Sequence, residues 1–249
     1  MYDAYIGIDY SGAATPLTNL SGLQVFASSG ADLPHVVFPQ GNNWNRHEIC
    51  NWLVGKVCSS NKIIVGIDHA FSFPLSYFER YGIESWEDFI EDFINHWPTH
   101  VDDATVNNLR YNNPRTGSRN EFRLTEKWTS SAKSVFQFDI PGQVAPSTHA
   151  GIPWLYVIRR EIGNMVHFWP FDGFDIPSNK SVIVEVYPSI FRNRYPQEGR
   201  SNDQHDAYSI SRWLSESDQR NFLERYFNLS LTSSEKDIVM REGWIIGIC

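Results

Sequence analysis

Positive charge and cysteine are both in short supply in this chain. Lys and Arg number 21 against 29 Asp and Glu, a formal net charge of −8. Phosphate neutralisation supplies most non-specific nucleic-acid affinity, so a polyanionic partner would have to meet a local basic patch. The 3 cysteines leave one unpaired. Cys50 and Cys58 fall in a segment of helical spacing, where eight residues span about 12 Å, too far for a disulfide. No Cys-x-x-Cys or Cys/His spacing supports structural zinc, and reduced core thiols are expected. No apolar run approaches the roughly 18–20 residues that cross a bilayer. Residues 1–12 lack a basic region followed by an apolar stretch and a cleavage site, so the expectation is a cytoplasmic protein with no membrane partner. Gly-x-Gly-x-x-Gly and phosphate-loop patterns are missing and no Ser/His/Asp set stands out, which argues against dinucleotide chemistry and acyl transfer.

What is present reads as an ordinary globular chain rich in rings, with 41% hydrophobic, 14% aromatic and 20% charged residues. A length of 249 residues suits one large domain. Residues 4–9, 23–28 and 35–39 read as three short strands whose Gly-, Ser-, Asn- and Pro-rich links suggest an antiparallel meander. Asn45 can cap a helix over 46–57, where Ile49, Trp52, Leu53 and Val57 recur at helical spacing. The β-branched run 62–68 has the character of a central strand covered on both faces. Ser85-Trp-Glu-Asp88 can cap a helix that Trp97-Pro98 stops. Residues 99–146 are more polar and read as an insertion within the domain. A helix over 154–162, a strand over 166–170, a second buried-looking strand over 181–187 and a helix over 204–214 follow. Trp52, Trp154 and Trp213 have apolar neighbours at helical spacing and are assigned to the core.

Asp9 and Asp68 each end an apolar strand, where open α/β sheets place their chemistry. Glu185 interrupts the run 182–187, and a buried carboxylate needs a partner, a cation among the candidates. Asp206 opens the last strongly periodic helix, with Asp203 one turn earlier. Gathered together, these acids would raise one another's pKa unless Mg²⁺ or Mn²⁺ compensated them through oxygen ligands. Local roles are open as well: Asp9 and Asp68 as turn caps, Glu185 as an arginine's partner, Asp203 as an N-cap and Asp206 as a first-turn acid favoured by the helix dipole.

Four segments, Gly7-Ile-Asp-Tyr-Ser-Gly-Ala13, Val65-Gly-Ile-Asp-His-Ala-Phe-Ser-Phe-Pro74, Glu185-Val-Tyr-Pro-Ser189 and His205-Asp-Ala207, resemble the bacterial family of predicted ribonuclease H-like nucleases known as domain of unknown function 429. The match spans most of the chain outside the insertion. The pair Asp203-x-x-Asp206 is also similar to the helix that completes the site in resolvases of the RuvC type. The resemblance implies an α/β, ribonuclease H-like mixed sheet, an antiparallel three-strand meander plus parallel strands flanked by helices. It also implies a site made of Asp9, Asp68, Glu185 and Asp206. For a nuclease, two divalent ions about 3.5–4 Å apart would straddle the scissile phosphate, with Asp9 bridging both and Asp203 close enough to share them. His69, beside Asp68, is a candidate for proton transfer or substrate contact, its alternative being a locally bonded turn histidine; the same alternative applies to His205. Ser11, in the turn after Asp9, is a candidate substrate contact.

A nucleic-acid substrate needs cationic ground, and residues 110–133 hold Arg110, Arg115, Arg119, Arg123, Lys127 and Lys133 against Glu121 and Glu126. Arg115, Arg119, Arg123 and Lys127 recur every four residues, one stripe if helical, on what would then be a substrate-binding flap; Gly117 and Ser118 weaken such a helix. Three functions stay open: a metal-dependent nuclease acting on DNA or RNA, a nucleotide-dependent phosphotransferase of the actin-like superfamily whose phosphate loop Asp9-Tyr-Ser-Gly12 would imitate, and a non-catalytic binding protein on the same sheet.

Overall fold

The computed structural model describes residues 1–60, 62–129, 131–139 and 144–249. Strand β1 (Ala4–Asp9) pairs antiparallel with β2 (Gln24–Ser28), which pairs antiparallel with β3 (His35–Val36). On its other side β1 pairs in parallel with β4 (Ile63–Asp68), in a register that sets Gly7 beside Gly66 and Asp9 beside Asp68. Strand β6 (Ser181–Glu185) lies parallel to β4, and β5 (Val166–Phe168) is the edge strand beside β6. The order is β3-β2-β1-β4-β6-β5, a mixed six-stranded sheet with helices on both faces.

Alternation along the strands sorts the core. Ile6 and Ile8 of β1, Ile63, Val65 and Ile67 of β4 and Ile183 of β6 face one side. There they meet α1 (Arg46–Ser59), α3 (Trp86–His96) and α6 (Ala145–Ile162). Asn45 caps α1, and Ser85 with Asp88 forms a capping box on α3, as their spacing predicts. Helix α6 starts nine residues earlier than its pattern suggested, because Pro153 lies inside it. A proline cannot donate to the carbonyl one turn back; the Thr99 hydroxyl donates to that carbonyl, His149 O, at 2.7 Å instead.

The opposite face, with Tyr5, Ile64, Val182 and Val184, is covered by α7 (Asn202–Gln219), α8 (Leu223–Phe227) and α9 (Ser233–Glu242). Gly7 and Gly66 stand directly beneath α7. A Cβ on Gly7 would overlap the Ala207 carbonyl and come within 2.6 Å of Ser211 N, and one on Gly66 would come within 2.6 Å of Ile210 Cγ2. Gly7 lets the helix backbone touch the sheet, and Gly66 makes room for the Ile210 and Leu214 side chains of the same helix.

The described residues of the expected insertion 99–146 reach the core at several points. Helix α4 (Val106–Arg110) and helix α5 (Leu124–Trp128) are short, and Val135 and Phe136 join the core. Residues 111–123, where a basic stripe needed a helix, run as turns and loop, which separates the four cations. Residues 140–143 of the expected insertion lie outside the described ones, and Ala145 and Pro146 open α6. A short helix α2 (Leu75–Tyr81) follows the loop after β4. Of the cysteines Cys50 is buried, whereas Cys58 and Cys249 are exposed, so only one is a core thiol.

Replacing Gly7 by Ala is expected to cost roughly 1–3 kcal/mol through overpacking, measured as a lower urea midpoint. Gly55, exposed in mid-α1 with open space around it, is the control: Gly55→Ala should stabilise by roughly 0.5–1 kcal/mol. Equal midpoints for the two variants would mean that α7 does not rest on β1 as described.

Candidate functional site

The carboxyl ends of β1 and β4 carry Asp9 and Asp68 to the α7 side of the sheet, since each follows its glycine by two residues on the same face. Helix α7, capped by Ser201 in a capping box with Gln204, brings Asp206 down onto them. One carboxylate oxygen from each of Asp9, Asp68 and Asp206 lies within 4.8 Å of the other two, an arrangement that could hold a metal ion. Asp203 is not the N-cap; it lines the same cleft a turn earlier on α7, outside that close group. The cleft encloses about 500 Å³ and is open to solvent, with Ser11, Ser147, Tyr187, Ser189 and Arg192 around the acids.

The charges here are poorly compensated. Burial, then the charges of Asp68, Asp206 and Asp203, hold the Asp9 carboxyl well above the usual carboxylate range. Asp68 is raised likewise, by burial first and Asp206 second, up to about 8, and Asp9 and Asp68 share a hydrogen bond. Asp206 is raised by burial, although Arg192 pulls the other way. Arg192 Nη1 donates to both of its oxygens, at 3.1 and 2.9 Å. Without a cation, the close pair of Asp9 and Asp68 retains a proton in the range where free carboxyls have lost theirs.

Glu185 does not join this group. Its register partner is Ile67, not Asp68, so alternation turns its side chain to the other face of the sheet. There its carboxylate accepts from Arg123 at 2.5 and 2.7 Å and from the Phe71 amide at 3.1 Å. Glu185 also ends β6 rather than interrupting it, with Ile246 N donating to its carbonyl. The partner its burial demands is therefore an arginine. Arg123, expected at a surface, is buried among Glu185, Glu126 and the Glu242 carbonyl. Burial opposes its charge, but Glu185 and Glu126 outweigh that and raise its pKa.

The other candidates divide in the same way. His69 is buried against Tyr10 and Phe71, its Nδ1 paired with the Ala70 carbonyl at 2.8 Å. Burial lowers its pKa to about 4, and the bond to the Ala70 carbonyl is the local contact of a turn histidine. His205 Nε2 pairs with the Arg192 carbonyl. Arg115 forms a two-pronged ion pair with Asp92, 23 residues away, and lies over Tyr81. Arg110 pairs with Asp139. Arg119 and Lys127 are exposed and line no part of the cleft. The basic segment thus uses several of its charges internally.

Two arginines escaped the sequence reading. Arg192 follows Glu185-Val-Tyr-Pro-Ser189 in a short 3₁₀ turn, Arg192–Arg194. Arg46, at the first position of α1, is buried and donates to the carbonyls of Ser11, Ala13 and Ala14, which fixes the loop after β1. No spacing rule would have linked Arg192 to Asp206 or Arg46 to the loop after β1; the bonds run across 14 and more than 30 residues.

The class defined by fold and site is an α/β protein with a mixed six-stranded sheet and an aspartate triad at its carboxyl edge. No family model, curated protein or solved structure matches this chain. No helix among the described residues is long and apolar enough to cross a membrane.

Two outcomes follow from the charges. A carboxyl raised in the folded state stabilises the fold below its ordinary pKa of 3.8, and the contribution is lost as pH climbs through about 8. The metal-free protein should therefore weaken across that interval, and Asp9→Asn should raise its melting temperature at pH 8 by roughly 2–4 °C per kcal/mol of repulsion relieved. A lower melting temperature for Asp9→Asn at pH 8 would contradict the repulsion. Arg123→Met removes the cation from two buried glutamates and should cost about 3–5 kcal/mol, read by denaturant unfolding; a loss below about 1 kcal/mol would mean that water reaches them.

Proposed function

We propose that this protein is a divalent-metal-dependent phosphodiesterase of ribonuclease H-like architecture acting on nucleic acid. The observation that carries this reading is the convergence of Asp9, Asp68 and Asp206, from two parallel strands and a helix, within 4.8 Å in an open cleft. The strand order supports it: the antiparallel meander followed by parallel strands is what the resemblance of the four segments implies.

The donor set suits a hard cation. All close ligand atoms are carboxylate oxygens, with no sulfur or imidazole among them, the preference of Mg²⁺ and Mn²⁺. The raised carboxyls mark a place where added positive charge is favourable. When bound, such ions lower the pKa of a water and stabilise charge on a leaving oxygen. The chain's own groups do the rest: Asp9 and Asp68 are fixed by neighbouring strands, and Asp206 is fixed by the helix seated on Gly7 and Gly66. Ser11, Ser147, Tyr187 and Ser189 line the walls where a sugar–phosphate chain would lie. Gly12, which a phosphate-binding loop would need, is accounted for by packing against the Pro146 carbonyl, so phosphotransfer gains no support.

Titration with Mn²⁺ at pH 8 is expected to raise the melting temperature, by an amount equal to about 2.7 kcal/mol at one hundred times the dissociation constant. Asp9→Asn should abolish both that response and the cleavage of labelled DNA or RNA oligonucleotides. No thermal response in the wild type would favour the non-catalytic scaffold, and ion-dependent cleavage that survives Asp9→Asn would remove the site from the reaction.

A further inference from the structure

Among the described residues that line the aspartate cleft, Arg192 is the single cationic side chain; Lys133 lines an adjoining pocket that shares Asp68, Val144 and Tyr187. Its side chain is 39% exposed, so the guanidinium sits at the mouth rather than in the core. Only Nη1 is bonded to Asp206; among the described residues Nη2 and Nε donate to nothing. An arginine presents its donors in a planar fork that fits phosphate oxygens two at a time. Here Nη2 and Nε are left unused by a residue that lines a solvent-open cleft with Tyr187 and Ser189.

The charge balance of the cleft points the same way. Asp9, Asp68, Asp203 and Asp206 against Arg192 leave three negative charges when all are ionised. In that condition the cleft repels a phosphate. Two divalent ions would bring it to one positive charge, which a single phosphodiester neutralises. The same ions would draw on the Asp206 oxygens that now accept from Arg192, leaving the guanidinium in want of another anion.

We infer that Arg192 is the phosphate-binding residue of this cleft, exchanging Asp206 for a phosphodiester oxygen pair of the substrate when divalent ions occupy the aspartates. The inference rests on the metal-dependent reading above. It separates Arg192 from Arg115 and Arg123, whose forks are filled by Asp92 and by Glu185 with Glu126.

The test compares wild type with Arg192→Gln and Arg192→Lys in two titrations. Mn²⁺ binding is followed by calorimetry, and binding of a fluorescent single-stranded oligonucleotide by anisotropy in Ca²⁺, which suits the same oxygen ligands, under conditions where no cleavage is seen. The expected result is Mn²⁺ affinity in Arg192→Gln equal to or above that of wild type. Oligonucleotide affinity should fall roughly 10- to 100-fold, the loss of a charge-assisted bond pair. Arg192→Lys should recover only part of it, because an ammonium lacks the fork. Unchanged oligonucleotide affinity in Arg192→Gln overturns the inference, as does a parallel fall in Mn²⁺ affinity, which would make Arg192 a support for Asp206. A wild type that binds no Mn²⁺ would instead remove the metal-dependent reading itself, and a wild type that binds Mn²⁺ but no oligonucleotide would remove the phosphate role alone.

Discussion

Helix α7 rests on β1 at backbone contact because Gly7 puts no side chain beneath it, and Gly66 leaves room on β4 for the side chains of Ile210 and Leu214. That contact sets the height of Asp206 above Asp9 and Asp68, and the height decides whether three carboxylates meet or stay apart. The two glycines and the two aspartates are register partners across a parallel pair, so the platform and the ligands come from the same pleat. The close approach of α7 to β1 and the crowded carboxyl of Asp9 thus lie two residues apart on one strand.

Buried charge is handled in two opposite ways on the two faces of the sheet. Behind β6, Arg123 is surrounded by Glu185, Glu126 and a carbonyl, and the charges satisfy one another. Such a network resists removal of either partner but has nothing left over for a ligand. On the α7 face three aspartates share a single arginine, which bonds only one of them. A deficit of positive charge at an open cleft is where a cation or a cationic partner is favoured, whereas the satisfied network ties residues 123–126 to the core.

The strand and helix periods carried most of the architecture. The meander, the central strand over 63–68 and the capped helices α1 and α3 lie where hydrophobic period and cap residues put them, because these are local features. Helix α6 was legible only in its second half, since Pro153 interrupts the pattern and the compensating donor, Thr99, is 50 residues away. Helices α8 and α9 follow in a polar stretch whose periodicity is weak. The basic spacing of Arg115, Arg119, Arg123 and Lys127 had a period without a helix: turns intervene, and Arg115 and Arg123 find acids 23 and 62 residues distant.

Asp9, Asp68 and Asp206 were visible as acids ending or opening apolar elements, an observation about one strand or helix at a time. Which carboxylates would meet was a matter of pairing. The sequence by itself determined the element types, the acids at their ends and the small residues that let elements approach, because each depends on neighbours within a few positions. The tertiary structure alone decided that Glu185 turns away to Arg123 while Arg192 turns in to Asp206. The turn of Glu185 depends on strand register, where a shift of one residue reverses the face on which a side chain emerges, and that of Arg192 depends on how α7 packs beside the 3₁₀ turn.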